Sequence, residues 1–586
     1  MRNADVARVM EEIGGLMRFR GDDYFKIRAY ENAAQAIREL DEPLDRLLGE
    51  GRLRAVPGIG AAIEKKIADY AATGAVPLHQ KLLDEIPLGA LELLEIPGLG
   101  PKRARAAFVE AGIDSLDALE AAATDGRLAE VSGFGPKSVE AIVAGLAQVR
   151  RHAGRHLSDD ARALAEILAG SLRALPEVAR VEVAGDLRRR LEVVDDAVLV
   201  AAAADPAPVV AAFLDHPMAA GVAAPGREKA HASAPAGGPR EVAVRLGGGL
   251  PARLVVVPPP TFAAALVVRT GSASHVERLR AIARGKGLRL EDAGLFRGRA
   301  RRPLDRREEA DVYAELGLEW IPPEIREDRG EIEAAAGGAL PRLIERGDLR
   351  GLVHVHTTWS DGRASVETMA ETARDLGFEY LVVCDHSRST SIAGGLTVED
   401  LRRQIDEIRR VETRLDGIEI LASSEVDVLA DGSLDYPDDV LAELDCVVAS
   451  VHAAFRLPRA EQTARLLVAL ANPWLDILGH PTGRILLSRD GVDADLDAVL
   501  DAAAGHGVAL EVNGDPRRLD LDWRWHRAAT GRGIRLAIDP DAHGPETIEP
   551  LLASGIGVAR KGWVTSDQVL NALPAAEFRA ALRRNR

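Results

Sequence analysis

The stretch "LVHVHTTWSDG", Leu352 to Gly362, sets two histidines two residues apart at the end of a Val-rich run, then adds a loop carrying Asp361. Side chains alternate faces along a strand, so an H-x-H at a strand end offers both imidazoles to one metal ion. Related pieces recur downstream. His386 lies in "VVCDH", Glu425 in "SSEVD", His452 in "SVH", His480 in "LGH", and Asp541 with His543 in "DPDAH". Each follows or ends a short apolar run, and helical stretches separate the runs. Strand then helix, repeated from about residue 350 onward, predicts a parallel α/β barrel or layered sheet. One histidine at a strand end is ordinarily a satisfied polar residue. Here six of the chain's 14 histidines fall at or just past the C-terminal ends of expected strands, where α/β barrels build active sites. A donor set of imidazoles and carboxylates too large for one ion points to a cluster of Zn²⁺ or Mn²⁺. Such ions acidify bound water and clamp a phosphodiester for in-line attack.

Length and composition bound the rest. At 586 residues, 47% hydrophobic and 28% charged, the chain is several globular domains with ample material for cores. No apolar run reaches the roughly 20 residues of a membrane span, and "MRNADVARVMEE" lacks a signal-peptide core. A cytoplasmic protein with no membrane partner is expected. With only Cys384 and Cys446, neither a disulfide framework nor a thiolate cage is available, so His and carboxylate must hold any metal. The net charge of −17 argues against a protein that coats nucleic acid, but leaves local phosphate contacts open.

Upstream, three Gly-rich turns repeat: "VPGIG" at 56–60, "IPGLG" at 96–100 and "VSGFG" at 131–135. In each, G-x-G precedes a helix, so backbone N–H groups near a helix N-terminus can face one phosphate without any side-chain charge. Gly58, Gly60, Gly98, Gly100, Gly133 and Gly135 are therefore candidate DNA-backbone contacts, with Lys102 and Lys137 just past the second and third turns. Residues 155–320 alternate Val-rich and Ala-rich segments and predict an α+β region, interrupted by a low-complexity loop at 223–240; "PPEIREDRGEIEAAAGG", 322–338, reads as a charged helical connector.

Residues 350–575, through these histidine motifs, resemble the polymerase and histidinol phosphatase (PHP) domain, a distorted barrel that binds three metals. The resemblance implies nine ligands: His354, His356, Asp361, His386, Glu425, His452, His480, Asp541 and His543. It also implies substrate-placing roles for Asn513 and Arg518 in "EVNGDPRRLDL". "YFKIRAYENAAQAI" and "VPGIGAAIEKKI" look like the lyase domain of family X DNA polymerases. Taken in order, the chain resembles the bacterial members that carry a C-terminal PHP domain. The organisation implied is multidomain: a lyase-like helical domain at 1–80, a fingers-like helix-hairpin-helix domain at 81–152, an α+β palm at 153–258, a thumb at 259–321, a linker at 322–349 and the PHP domain at 350–586. Lys66 falls where relatives place a Schiff-base lysine.

The palm motif departs from its family. Two Mg²⁺ ions are held there by an Asp-x-Asp and a third Asp on a neighbouring strand. In register, this chain offers Asp196, then Val198, and Arg253 at the third position; Asp195, one residue off, faces away. Gly185-Asp186 replaces a Gly-Ser, and Val268-Arg269 replaces the aromatic pair before Thr270, Gly271 and Ser272. A site reduced from three carboxylates to one argues against palm Mg²⁺ and against a bound dNTP, and Arg253 is expected to pair with Asp196 instead. The reading is a DNA repair phosphoesterase acting on gapped, nicked or abasic duplex as a 3′–5′ exonuclease, 3′-end processor or abasic endonuclease. The alternatives are an active gap-filling polymerase with a PHP exonuclease and a non-catalytic DNA-binding scaffold.

Overall fold

The computed structural model describes residues 3–38, 40, 42–219 and 239–583. Most of the stretch 223–240, up to residue 238, lies outside the described residues. Among the described residues up to 152, all regular elements are helices. Helices Ala61–Thr73, Pro101–Ala111 and Pro136–His152 each follow one Gly turn, and each turn is built alike. The first glycine is left-handed, with φ of 90°, 85° and 86° at Gly58, Gly98 and Gly133, a region that side chains with a Cβ rarely enter. The middle residue, Ile59, Leu99 or Phe134, is buried and pins the turn to the helical core.

Next come strands β1 (His156–Leu157), β2 (Val178–Ala184), β3 (Val193–Val194), β4 (Ala197–Ala203), β5 (Arg240–Arg245) and β6 (Pro251–Val257). A four-stranded sheet runs β2-β4-β6-β5, with β4 parallel to β6, while β1 pairs with β3. Strand β4, "AVLVAAA", is buried on both faces. Ala197, Leu199 and Ala201 pack with Leu164, Leu168 and Leu172 of helix Ser158–Arg173. Val198, Val200 and Ala202 pack with Phe262 and Leu266 of helix Phe262–Thr270. That period of two gives the sheet a helix on each side and aligns Val198 with Arg253 of β6. Hairpin β7 (Leu288–Glu291) and β8 (Gly294–Arg297) follows.

The segment 322–349 is not a loose tether. Ile325, Ile332, Ala335 and Leu343 join the core formed by Ala263, Leu279 and Tyr313, so its charged surface hides a packed apolar side.

The remainder is a parallel barrel with one break. Strands β9 (Gly351–Val355), β10 (Tyr380–Val383) and β11 (Glu419–Ala422) form one arc; β12 (Glu425–Asp427), β13 (Val448–Ser450), β14 (Ile477–Leu478), β15 (Ala509–Asn513) and β16 (Leu536–Asp539) form the other. Bridges Val355–Ala542 and His386–Glu425 join the arcs. Every strand pairing is parallel, so all C-terminal ends open on one mouth. Phe578, Leu582 and Tyr380 form a second apolar cluster with the buried Cys384 and Cys446, which form no disulfide.

The polymerase-like half leans on this barrel through polar contacts. Glu192, 5% exposed, accepts from Trp523 Nε1 (3.2 Å) and Arg524 Nη1 (3.1 Å). Lys561, 1% exposed, donates to the Arg189 carbonyl (3.1 Å) and pairs with Glu327 (2.5 Å).

Candidate metal centre

The barrel mouth gathers all nine expected ligands. His354 and His356 leave β9, His386 follows β10, Glu425 opens β12, His452 and His480 follow β13 and β14, and Asp541 and His543 follow β16. The two β9 histidines do not meet through a regular pleat, as the H-x-H argument expects. Register shifts by one residue opposite Leu381–Val383, His354 has φ of 57°, and His356 lies beyond the strand. A bulge, not strand alternation, brings the rings to 5.2 Å between centroids. Asp541 likewise sits at φ 49° past the end of β16. Asp361 returns to the site on a loop that folds back on the backbone: a Cβ at Gly362 would lie 2.5 Å from the His356 carbonyl carbon.

Glu425 is the centre of the arrangement. Its Oε2 lies 3.5 Å from His354 Nε2, 3.8 Å from His356 Nε2 and 2.9 Å from His386 Nδ1. Its Oε1 lies 3.2 Å from His452 Nε2 and 2.9 Å from His480 Nε2. Around it, donor atoms cluster as His356, Asp361, His386 and His543; as His354, His356 and Asp541; and as His386, Glu425 and His452. One carboxylate lies within 3.8 Å of five imidazole nitrogens, a donor set suited to a metal ion.

The donors fit metal ions. His354 Nε2, His356 Nδ1 and His386 Nδ1 are buried polar atoms without a hydrogen-bond partner, an arrangement that is costly unless an ion takes the lone pairs. Electrostatics agree. Against the opposing effect of burial, Glu425 and Asp361 push His386 up to about 10, and Glu425 and Asp427 push His452 up to about 9. His354 is raised by Glu511, Asp541 and Glu425, again against burial. Burial opposes the shift of Glu425 too, yet His452, His386 and His354 hold its carboxyl well below the usual range. The carboxylates therefore favour positive charge at the mouth, on the imidazoles or on a bound cation.

A supporting layer escapes sequence reasoning. Glu511 of β15, fully buried, accepts from His354 Nδ1, from the His480 backbone N–H and, at 3.2 Å, from Asn513 Nδ2. Asp539 lies beside it, 3.9 Å from His354 Nδ1, and burial together with Glu511 pushes its carboxyl far up. Asp427 Oδ1 holds His452 Nδ1 at 2.5 Å. Asp385, next to the ligand His386, accepts from Thr357 N (2.8 Å) and Ser360 Oγ (2.5 Å) and so fixes the Asp361 loop. Such partners orient ligand rings and set their tautomers. The signal was present: Glu511 is two residues before Asn513, and Asp539 two before Asp541.

The expected substrate residues separate. Asn513 is fully buried, donates to Asp541 Oδ2 (3.0 Å) and Glu511, and accepts from Asp515 N (2.9 Å). Its amide is engaged behind the mouth, an arrangement that suits holding Asp541 rather than the expected contact with substrate. Arg518 is partly exposed and reaches 4.0 Å from Asp541 Oδ2.

Elsewhere, Gly58, Gly60, Gly98, Gly100, Gly133 and Gly135 are exposed, as are Lys102 and Lys137. The helices after the three turns have no side-chain N-cap, which leaves their first N–H groups without a side-chain partner. Lys66 is half-buried on helix Ala61–Thr73 beside exposed Lys65. In the palm, Arg253 Nη2 pairs with Asp196 Oδ2, while Asp195 turns outward to Arg155 at 3.7 Å. Asp186 is engaged by Arg189, and Arg269 by Asp292 (2.8 Å) and Glu241 (2.9 Å). Thr270 is buried under Arg188 and Arg189, and Ser272 caps the next helix.

A metal-ligand barrel joined to a palm, a thumb and serial helix-hairpin-helix turns is the architecture of a DNA-processing enzyme. Comparison with known proteins makes this specific. Residues 1–76 match a helix-hairpin-helix domain, 90–148 a SAM-like helix-hairpin-helix tandem, 265–327 the DNA polymerase beta thumb and 353–515 the PHP domain. The chain is 34% identical over 585 residues, covering 100% of both chains, to the DNA polymerase/3′-5′ exonuclease PolX of Bacillus subtilis (strain 168). Its last third is 28% identical to a probable phosphatase of Thermoanaerobacter sp. (strain X514), over 37% of this chain and 88% of the relative. A probable phosphatase of Caldanaerobacter subterraneus is 30% identical over 33% and 77%. The chain belongs to the family X DNA polymerases with a C-terminal PHP domain. No helix among the described residues is long and apolar enough to cross a membrane.

Proposed function

We propose that this protein is a DNA repair phosphoesterase that hydrolyses phosphodiester or phosphomonoester bonds at 3′ ends of gapped, nicked or abasic duplex, with nucleotidyl transfer in its palm lost. The observation that carries the reading is a contrast. Glu425 stands among five imidazoles, four of which, His354, His356, His386 and His480, have a buried nitrogen without a hydrogen-bond partner, whereas Asp196 is neutralised by Arg253. Three divalent ions, Zn²⁺ or Mn²⁺, would be held by His356, Asp361, His386 and His543; by His354, His356 and Asp541; and by Glu425 with His386, His452 and His480. Bound there, they supply Lewis acidity and an acidified water. The protein's part is to fix the donors, through Glu511, Asp427, Asp385 and Asn513, and to place a phosphate beside Arg518.

The domains divide the work. The helical regions 1–80 and 81–152 grip the backbone through Gly58, Gly60, Gly98, Gly100, Gly133 and Gly135 with Lys102 and Lys137, the palm and thumb (153–321) serve as a scaffold, and 350–586 carries the chemistry. Lys66 is the candidate lyase nucleophile. The name of the Bacillus relative, matched over its full length, favours a second reading in which the palm still fills gaps and the PHP domain proofreads. A gapped duplex labelled at each 3′ and 5′ end, incubated with Mn²⁺ with and without dNTPs, separates the two. Trimming abolished by His354→Ala, without extension, is the expected result. Extension abolished by Asp196→Ala would establish the second reading.

A further inference from the structure

We infer that Arg489 holds a backbone phosphate of the DNA strand entering the metal centre, in an arginine-lined cleft where the helical and palm regions meet the barrel. This rests on the nuclease reading above and names the path by which substrate reaches that site. The cleft has a volume of about 290 Å³ and is lined by Arg155 and Glu192 on one side and by Arg484, Arg489, Asp490 and Arg524 on the other. Four guanidiniums face two carboxylates there, in a chain whose net charge is −17.

Most of these cations are spoken for. Arg484 and Arg524 pair with Asp522 at 2.7 and 2.8 Å and share Glu192, and Arg155 reaches Asp195. Arg489 differs. Its Nε and Nη2 donate to the Gly483 carbonyl (3.2 and 2.8 Å) and its guanidinium lies 3.8 Å over the Phe455 ring, with no carboxylate partner among the described residues. Burial, and then the positive charge of Arg518, depress its guanidinium. Arg518 in turn has a buried Nη1 without any partner and stands at the edge of Asp541. Two neighbouring guanidiniums with unused donors are repulsive alone and favourable around an anion, and a guanidinium fork matches phosphate geometry.

The supports of Arg489 tie it to the centre. Gly483 is three residues past the ligand His480 and accepts nothing else from the cleft, while its own N–H donates to the His480 carbonyl at 2.8 Å. Phe455 is three residues past the ligand His452. On the far side, helix Pro136–His152 carries Gly135 and Lys137 at one end and delivers Gln148 to the Ser488 carbonyl and Arg151 to Asp490 (3.2 Å) at the other. Its 17 residues span about 25 Å. The helix therefore links the third Gly turn directly to the segment that carries Arg489.

The test uses the full chain. Fluorescence anisotropy of a 3′-tailed gapped duplex with metal-free protein, and hydrolysis with Mn²⁺, are compared for wild type, Arg489→Gln and Arg489→Lys. Arg489→Gln is expected to raise Kd and KM on the order of tenfold with kcat within about twofold, Arg489→Lys to recover part of the affinity, and the deficit to shrink to under about twofold on thymidine 5′-(p-nitrophenyl phosphate), which is too short to span both sites. Unchanged Kd and KM for Arg489→Gln overturn the proposal. So does an equal loss on the short ester, which would make Arg489 a prop for the Gly483 loop. Wild-type protein that splits the ester but no DNA would sink the nuclease reading; the anisotropy arm would still judge the cleft, an unaltered Kd overturning it.

Discussion

Glu511 shows how much of a metal site depends on a residue that touches no metal. Its two oxygens hold the His354 ring, the His480 backbone and the Asn513 amide, and Asn513 passes the constraint to Asp541. Glu511→Gln removes the charge and converts one acceptor to a donor, which mismatches the His480 N–H. Supporting partners of this kind are worth about 10- to 100-fold in metal affinity. Mn²⁺ titration of the apoprotein against a competing chelator should show that loss, with thermal unfolding of the helical regions unchanged. The palm poses the converse case. Asp196, Val198 and Arg253 share one sheet face, and burial pushes the Asp196 carboxyl up, with Arg253 opposing. Half-buried and screened on one side, the pair contributes on the order of 1 kcal/mol. Val198→Asp combined with Arg253→Asp rebuilds three carboxylates on that face. Mn²⁺ binding beyond the wild-type stoichiometry is expected, read by electron paramagnetic resonance on a His354→Ala background.

At the scale of elements, the short helix Glu309–Glu315 is held by charge. Glu309 accepts from the fully buried Arg326 at 2.7 and 3.1 Å and from Arg188 at 2.8 Å on each oxygen. Burial opposes ionisation, but Arg326 and Arg188 hold the carboxyl down at about 2 from a usual 4.5. Because the folded value is the lower one, the stabilisation is fully present above pH 4.5 and is lost as pH falls through about 2; a shift of that size corresponds to about 3 kcal/mol. Glu309→Gln leaves Arg326 buried without a counter-charge and should cost about 3–5 kcal/mol at pH 7. The gap between mutant and wild type in urea unfolding should narrow between pH 4.5 and 2. These elements also show what the sequence discloses. Parallel strands whose C-termini share one mouth appear in sequence as strand-end histidines, so the barrel and the clustering of those histidines were readable, whereas the set of nine donors came from the family resemblance. Asp195 and Asp196 lie at the break between β3 and β4 rather than on one regular strand, so their different partners, Arg155 and Arg253, arise from that break and not from the period-two alternation the sequence suggested. The bulge at His354 was not readable, because it is set by pairing with β10 across 28 residues of chain. Nor was Asp385, whose role depends on neighbours from other strands, nor the packed side of 322–349, whose apolar residues are spaced among charges; the spacing before Asn513 and Asp541 marked Glu511 and Asp539, but not their partners on other strands.

For the whole molecule the issue is how a chain of net charge −17 acts on a polyanion. The grip is assigned to three Gly turns whose exposed glycines admit a close approach and whose helix N-termini lack side-chain caps. Backbone N–H groups carry partial charges and release no counterions of their own, so the salt dependence of binding should come from a few lysines and arginines. Lys102 and Lys137 are exposed beside the second and third turns, about as far along their helices as each other. If each neutralises one duplex phosphate, Lys102→Ala with Lys137→Ala lowers the slope of log K against log salt by about 1.8, from about 0.9 per contact. Binding isotherms of a gapped duplex between 50 and 200 mM KCl, about the range over which phosphate contacts show themselves, would measure it. The same variant should trim DNA more slowly at subsaturating concentration while splitting a small phosphodiester at the wild-type rate, since the barrel mouth lies on separate elements. A slope unchanged by both substitutions would mean that these lysines face solvent in the complex and that the turns grip through backbone alone. A slope reduced by much more would mean that the substitutions shift the whole duplex, including its contacts with the arginines at the barrel.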